Sequence, residues 1–244
     1  MKEIRNSSQM PWVIAHRGAS ADSPENSGPA MELAQSMQVD AIETDVRLSA
    51  DGVPVLCHDL NLQRLTGINA CVHQRTAEFL ARTPLLSQNN ADAGCILTLQ
   101  DLLQRFDRQP FYLEMKDEAN LGDDLRRKLA EETVRMAQAA AGPPPMLLSF
   151  SDSLLQFANE VPGSKLLRGR NMTHADLHPY DFLSCAVEAL TAQFVAAAHA
   201  EGQPVICFTV NEADRLQLAL HCQVDGIISD RPDWLRRELQ ATAG

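Results

Sequence analysis

The sequence predicts an α/β protein folded as a closed (β/α)8 TIM barrel, with a β-hairpin return strand after the second strand and a small excursion over one end. Three observations carry that prediction. Short runs rich in Val, Ile and Leu alternate with longer helix-period segments. Nine such runs, less one hairpin return, leave eight. A length of 244 residues suits one such barrel and is short for two catalytic domains. Residues 1–244 therefore read as one domain.

The first run, Trp12–Ala15, leads into a helical pattern over about 25–38 and then the run Asp40–Val46. Only RLSADG separates Val46 from Val53, too short for a parallel crossover, which takes about a dozen residues. Asp51-Gly52 is a hairpin signal, so Val53–His58 is expected to return antiparallel to Asp40–Val46. Residues 59–97 show no clear strand and carry turn residues such as Ser87-Gln88-Asn89-Asn90; they read as the excursion. Thr98 caps a helix over 98–107 that leads to the run Phe111–Met115. A helix over 121–140 ends in the proline-rich stop before Met146–Phe150, and Ser151 caps the helix 151–160. The runs Lys165–Leu167, Phe182–Val187, Val205–Val210 and Gly226–Ser229 follow, with helices over 190–201 (stopped by Gly202) and 212–222.

Apolar residues at 45% and charged residues at 22% exclude a disordered or fibrous chain. A formal charge of −11 repels nucleic acid and anionic membrane, so neither is expected as a partner. The start lacks a secretory apolar run, and no eighteen apolar residues follow one another, so no membrane anchor is expected. Cys57, Cys71, Cys95, Cys185, Cys207 and Cys222 form no metal-binding spacing; they read as reduced thiols of a cytoplasmic protein.

Four clusters carry chemistry. His16-Arg17-Gly18 follows the first run and supplies a group that titrates near neutrality, a fork for phosphate oxygens and a sharp turn. Glu43 and Asp45 lie two apart in an otherwise apolar strand and so share a face. Their mutual repulsion calls for a cation between them, and oxygen ligands alone favour Mg²⁺ or Ca²⁺. His58-Asp59 closes the return strand: with the turn centred between residues 50 and 51, paired positions sum to 101 and His58 falls opposite Glu43. Glu114 and Lys116 share a face at the end of the run Phe111–Met115. Three acids (Glu43, Asp45, Glu114) against two bases (Arg17, Lys116) total −1, and one divalent ion makes the set +1, matched to a phosphodiester.

The ordered set IAHRGAS with ENS (Ile14 to Ser27), IETDVRLSADGVPVLCHDLNLQRLTG (Ile42 to Gly67), LEMK (Leu113 to Lys116), LLSFSDSLL, FTVN and DGIISDRP resembles the glycerophosphodiester phosphodiesterase family. The similarity covers essentially the whole chain. It implies a barrel, with the excursion over its catalytic end, that hydrolyses glycerophosphodiesters to sn-glycerol 3-phosphate and an alcohol. By that resemblance Glu43, Asp45 and Glu114 match metal ligands, His16 and His58 the general acid and base, and Arg17 and Lys116 the phosphate-binding cations. Ser27 stands where threonine is usual and Phe208 where tryptophan is common.

Glu25 and Asn26 read as anchors of the first helix, while Asn211 is open between packing and function. His73, His174, His178, His199 and His221, and likewise Trp12 and Trp234, read as surface or packing residues. The alternatives are a lysophospholipase D on the same barrel, using Phe79, Leu80, Leu85 and Leu86 for an acyl chain, and a non-catalytic barrel that binds phosphodiesters.

Overall fold

The structure, a computed structural model, describes residues 10–86, 93–117 and 122–242. The start of the chain and the Ser87–Asn90 turn lie outside the described residues. In chain order the elements are β1 (Trp12–His16), α1 (Gly28–Ser36), β2 (Ala41–Leu48), β3 (Pro54–Leu56), α2 (Gln63–Thr66), α3 (Ala77–Ala81), α4 (Leu99–Arg105), β4 (Phe111–Met115), α5 (Asp123–Ala139), β5 (Met146–Ser149), α6 (Asp152–Glu160), β6 (Arg168–Met172), β7 (Phe182–Ala186), α7 (Ala192–Ala200), β8 (Val205–Phe208), α8 (Ala213–His221), β9 (Gly226–Ser229) and α9 (Pro232–Thr242). Ser27, Thr98, Ser151 and Thr191 cap their helices by accepting a backbone N–H with the side-chain oxygen.

Eight strands pair in parallel in the order β1-β2-β4-β5-β6-β7-β8-β9, and β9 closes back on β1. This is the TIM barrel. β2 outruns β1, and its free upper edge is taken by β3, antiparallel as expected. The register differs from the expected one. Val46 faces Leu56 and Arg47 faces Val55, so paired positions sum to 102 rather than 101. The cause is a three-residue loop rather than a two-residue one: Ser49 and Val53 close it, and Gly52 takes the left-handed position at φ +80°.

Two further departures have physical causes. The sixth strand runs over Arg168–Met172, not Lys165–Leu167, because RGRNM is polar and hides its period: Arg170 points outward to Asp152 while Asn171 points inward. The sequence reading also missed α9, whose signals were Pro232 in its first turn and the buried stripe Leu235, Leu239.

Alternation along each strand sorts the core in two. Outward residues such as Val13, Ile42, Leu113, Leu183 and Cys207 pack against the helices. Inward residues Ile14, Ala41, Tyr112, Met146, Leu148, Phe182, Ile206 and Ile228 fill the barrel. Tyr112 and Phe182 meet edge to face at 5.5 Å between centroids, and each such buried side chain contributes about 1.5–3 kcal/mol. The barrel is thereby plugged below, leaving the C-terminal ends of the strands as its open mouth. The excursion has its own small core, including Val55, Cys57, Leu62, Val72, Leu80 and Ile96.

Interior residues of such a barrel stack in layers of four drawn from alternate strands. Followed through the pairings, one layer takes His16, Glu114, Asn171 and Phe208; the layer beneath it takes Glu43, Leu148, Ser184 and Ile228.

Candidate active site

β1 delivers His16 to the mouth because Trp12, Ile14 and His16 alternate inward. The chain then turns sharply: Arg17 sits at φ +58° and Gly18 at φ +82°. A Cβ on Gly18 would lie 2.7 Å from the Ala30 backbone, so only glycine lets β1 pass this close to α1. The Arg17 N–H donates to the Glu43 carbonyl at 2.8 Å, which joins the turn to β2.

Glu43, Asp45 and Glu114 come together as expected. They are 2%, 0% and 7% exposed, and one oxygen from each lies within 4.8 Å of the others. Lys116 reaches over β2, 2.9 Å from Asp45 Oδ1 and 2.6 Å from Glu114 Oε1. Arg17 Nε lies 3.1 Å from Asp45 Oδ2. Burial, then repulsion from Asp45 and Glu114, pushes the Glu43 carboxyl well above the ordinary range. Burial opposes Asp45 as well, yet Lys116, Arg17 and His58 and the Asn26 hydrogen bond hold it below its ordinary value. Burial raises Glu114 against the pull of Lys116. Glu43 Oε1 is buried with no hydrogen-bond partner. A buried, oxygen-only triad with an orphaned acceptor fits a divalent cation, and Glu43, Asp45 and Glu114 are the residues that could hold one.

Each imidazole is oriented by a carboxylate: His58 by its neighbour Asp59, and His16 by Asp230, which the sequence did not single out. His16 Nδ1 bonds Asp230 Oδ1 at 2.5 Å, leaving Nε2 3.9 Å from Glu43 Oε2. Burial would raise the Asp230 carboxyl, but bonds from His16, Asn211 and Ser20 hold it at about 2. Asn211 settles as a positioning residue: its Nδ2 donates to Asp230 and its Oδ1 accepts from Ser229 and the Asp230 N–H. Within DGIISDRP, Asp230 directly follows β9, the C-terminal strand end that also carries other site residues, and that position was its signal.

His58 reaches the site by another route than strand register. Cys57 still bonds to the Asp45 carbonyl, at 3.2 Å, and there the ladder ends. The chain bends at His58, whose carbonyl is held by Arg47 Nε and Nη2 at 2.9 and 2.6 Å. Its Nδ1 bonds Asp59 at 2.8 Å. Burial lowers the imidazole's proton affinity; Asp45 opposes this, while Lys116 and Arg17 add to it, so the ring is electrostatically part of the cluster.

Glu25 and Asn26 do more than anchor α1. Asn26, in the left-handed region at φ +58°, donates to Asp45 Oδ2 at 2.8 Å and accepts from Thr44 Oγ1 and the Asp45 N–H. Glu25 bonds Arg17 at 3.0 Å and both Nη atoms of Arg64 at 2.8 Å, and Arg64 Nε bonds Asp59 at 2.6 Å. Arg17, Glu25, Arg64 and Asp59 thus form one chain of alternating charge that ends on the His58 ring. The six cysteines carry no disulfide, and burial raises the Cys57 thiol to about 12 and Cys185 to about 11, so these two are inert. No helix among the described residues is long and apolar enough to cross a membrane.

Residues 16–234 match the glycerophosphoryl diester phosphodiesterase family. A glycerophosphodiester phosphodiesterase from Bacillus altitudinis is 27% identical over 248 aligned positions, covering 92% of this chain and 96% of that protein. A lysophospholipase D from Homo sapiens is 26% identical over 273 positions, covering 92% and 84%. The solved structure of an Oleispira antarctica phosphodiesterase in complex with the product sn-glycerol-3-phosphate shares the fold at a TM-score of 0.84 and 23% identity, covering 95% and 97% of the two chains. With the barrel and this residue set, the match over residues 16–234 means that the chain belongs to the glycerophosphoryl diester phosphodiesterase family, a family of phosphoric diester hydrolases.

Proposed function

We propose that this barrel hydrolyses deacylated phospholipid head groups, such as glycerophosphocholine and glycerophosphoethanolamine, to sn-glycerol 3-phosphate and an alcohol, in the cytoplasm. The observation that carries the reading is the buried Glu43–Asp45–Glu114 triad with Arg17 and Lys116 against it and His16 at its rim. Mg²⁺ or Ca²⁺ bound there would polarise the phosphoryl group and offset the acids. Arg17 and Lys116 hold the phosphoryl oxygens. His16 and His58 exchange protons at Nε2, one taking the proton of the attacking oxygen and the other giving one to the leaving alkoxide. Asp230 and Asp59 hold Nδ1 of the two rings, which fixes which nitrogen faces the substrate. Asn26 aims the Asp45 carboxylate.

A coupled assay for sn-glycerol 3-phosphate over a panel of diesters, with and without EDTA, tests this. Release that EDTA abolishes and added Mg²⁺ or Ca²⁺ restores is the expected result. Metal-dependent binding without release from any diester would favour a non-catalytic barrel. A second reading, lysophospholipase D activity, is favoured by one feature, exposed Phe79 and Leu86 on the excursion; Leu80 and Leu85 are buried in the excursion's own core, and the cavity of about 500 Å³ at Phe79 is lined also by Thr76, Glu78, Arg82 and Thr83. Lysophosphatidylcholine turned over faster than glycerophosphocholine would establish it.

A further inference from the structure

One arginine of the excursion ties the Arg17 side of the site to the His58 side. Arg64 lies in α2, and both ends of that short helix are fixed. Asn61 Oδ1 accepts the Gln63 N–H at 2.8 Å, and Gly67 closes the turn in the left-handed region at φ +77°. Leu62 is buried in the excursion's own core, with Leu65 packed against it. From this base the Arg64 side chain reaches two carboxylates at once. Nη1 and Nη2 donate to the two oxygens of Glu25 at 2.8 Å each, and Nε donates to Asp59 Oδ2 at 2.6 Å. Glu25 lies 39 residues earlier, between β1 and α1, so the fork joins the excursion to the barrel.

Each carboxylate has a second contact, and in both cases it is a residue of the proposed reaction. Glu25 Oε1 also accepts from Arg17 Nη1 at 3.0 Å, and Asp59 Oδ1 faces His58 Nδ1 at 2.8 Å. A carboxylate held through one oxygen by a charged donor presents the other in a fixed direction, so Asp59 is aimed at the ring. The Arg64 bond, against burial and helped by His58, holds the Asp59 carboxyl at about 2, which keeps it an ionised acceptor near neutrality. On the other side charge decides. Glu25 is shared between two guanidinium groups; without Arg64 its full charge would fall on Arg17. Arg17, Glu25, Arg64 and Asp59 sum to zero, and loss of Arg64 would leave −1 beside an anionic diester. The Arg64 side chain is 51% exposed, and ion pairs of that exposure contribute little to folding.

We propose that Arg64 is a positioning residue for the phosphodiesterase reaction. One guanidinium, supplied by the excursion, aims Asp59 and through it the His58 ring, and draws off enough of the Glu25 charge to leave Arg17 available to the phosphoryl group. The proposal rests on the reading above, in which His58 transfers a proton and Arg17 binds phosphate. It gives the excursion a part in the chemistry: docked against the barrel, it sets the direction of the imidazole on the return strand.

Steady-state kinetics on glycerophosphocholine, with saturating Mg²⁺ or Ca²⁺, test it. Arg64→Lys keeps the charge but replaces a three-bond fork by a point donor, so kcat is expected to fall about tenfold while KM stays within about threefold. Arg64→Ala removes the charge as well; kcat should fall about 10–100-fold and KM should rise several-fold. Guanidinium chloride, far below denaturing concentrations, should restore part of the Arg64→Ala rate where equal sodium chloride does not. Asp59→Asn combined with Arg64→Ala should be no more than about twofold slower in kcat than the slower single variant, since both act through one ring. Melting temperatures should stay within about 3 °C of the wild type.

The role is overturned if Arg64→Ala keeps kcat within about twofold of the wild type, or if the losses from Asp59→Asn and Arg64→Ala multiply. It is overturned equally if Arg64→Lys is fully active, since charge alone would then suffice. A variant that melts markedly lower and is not rescued by guanidinium makes Arg64 structural. Wild-type release of sn-glycerol 3-phosphate matched by both Arg64 variants removes the positioning role alone; no release by the wild type from any diester removes the functional reading and this role together.

Discussion

Around the barrel mouth, the arc of β1, β2 and β4 faces the axis with His16, Glu43, Asp45, Glu114 and, just past β4, Lys116; the arc of β5 to β8 faces it with Phe150, Asn171, Ser184, Ala186 and Phe208. The first arc is dense in charge and almost fully compensated, each carboxylate but Glu43 having a cation or a strong donor within bonding distance. The second carries no charge, and two of its buried oxygens, Asn171 Oδ1 and Ser184 Oγ, have no hydrogen-bond partner. Charge taken out of water has to be paired at once to be tolerated, so the catalytic arc is held by neighbours that exist before substrate arrives. A lone amide or hydroxyl costs far less, on the order of 1–3 kcal/mol, and is tolerated unpaired. The same barrel therefore holds its buried charges already paired on one side and leaves two neutral oxygens, Asn171 Oδ1 and Ser184 Oγ, buried without a partner on the other.

The largest effects are expected in the charged arc. His16→Ala and His58→Ala should each lower kcat by about 10²–10⁴ through loss of a proton-transfer group, and the wild-type rate should follow a bell-shaped pH profile. Steady-state assays of the two variants check this; turnover near the wild-type rate in both would mean that the imidazoles do not carry the proton transfers.

Metal affinity comes next. Asn26→Ala frees the Asp45 carboxylate to rotate and should weaken metal binding about 10–100-fold, as loss of a ligand's supporting hydrogen bond does. The sign of the pH dependence follows from Glu43. Its folded carboxyl is raised, so the metal-free protein holds a proton there that the ion must displace; affinity should fall about tenfold per pH unit on the acid side of that raised value. For the same reason the metal-free protein should lose stability as pH rises above the ordinary carboxylate value, and added ion should return it. Asp230 works the other way: its stabilisation is present above about pH 4 and lost only as pH falls through about 2, outside that window. Melting curves of EDTA-treated protein across pH, with and without Mg²⁺ or Ca²⁺, separate the two; a melting temperature of the metal-free protein that rises with pH would contradict the Glu43 assignment.

The charged arc is also the half that was legible in the sequence. Acids two apart in an apolar strand, and a Glu-Lys pair at a strand end, announce a shared face because strand periodicity is local. What escaped was whatever depended on a loop or on a distant partner. His58 was expected to reach the acids by hairpin register, and the three-residue loop at Gly52 moved that register by one; the bend held by Arg47 places the ring instead. Asp230 lies 214 residues from the histidine it orients, and barrel closure alone brings them together. The neutral arc left almost no trace, since Asn171 sits in the polar run RGRNM that disguised its strand, and Ser184 reads as a small residue in an apolar one.

The smallest expected effect sharpens the contrast from the neutral side. Phe150 stands at the outer rim, 40% exposed, with one edge-to-face contact to Phe208, a contact of about 0.5–1.5 kcal/mol. Phe150→Ala removes exposed apolar surface at the mouth, across from the acids, but no charge and no bond to them. It should therefore raise KM by a few-fold and leave kcat within about twofold. The change should grow with the bulk of the head group, being larger for glycerophosphocholine than for glycerophosphoethanolamine, because a quaternary ammonium gains from an aromatic face what a well-hydrated primary ammonium does not. If Phe150→Ala instead cut kcat as deeply as the histidine variants, with the head groups affected alike, the two arcs would not divide chemistry from recognition: a rim residue with no charge and no bond to the acids would then be setting the reacting geometry itself.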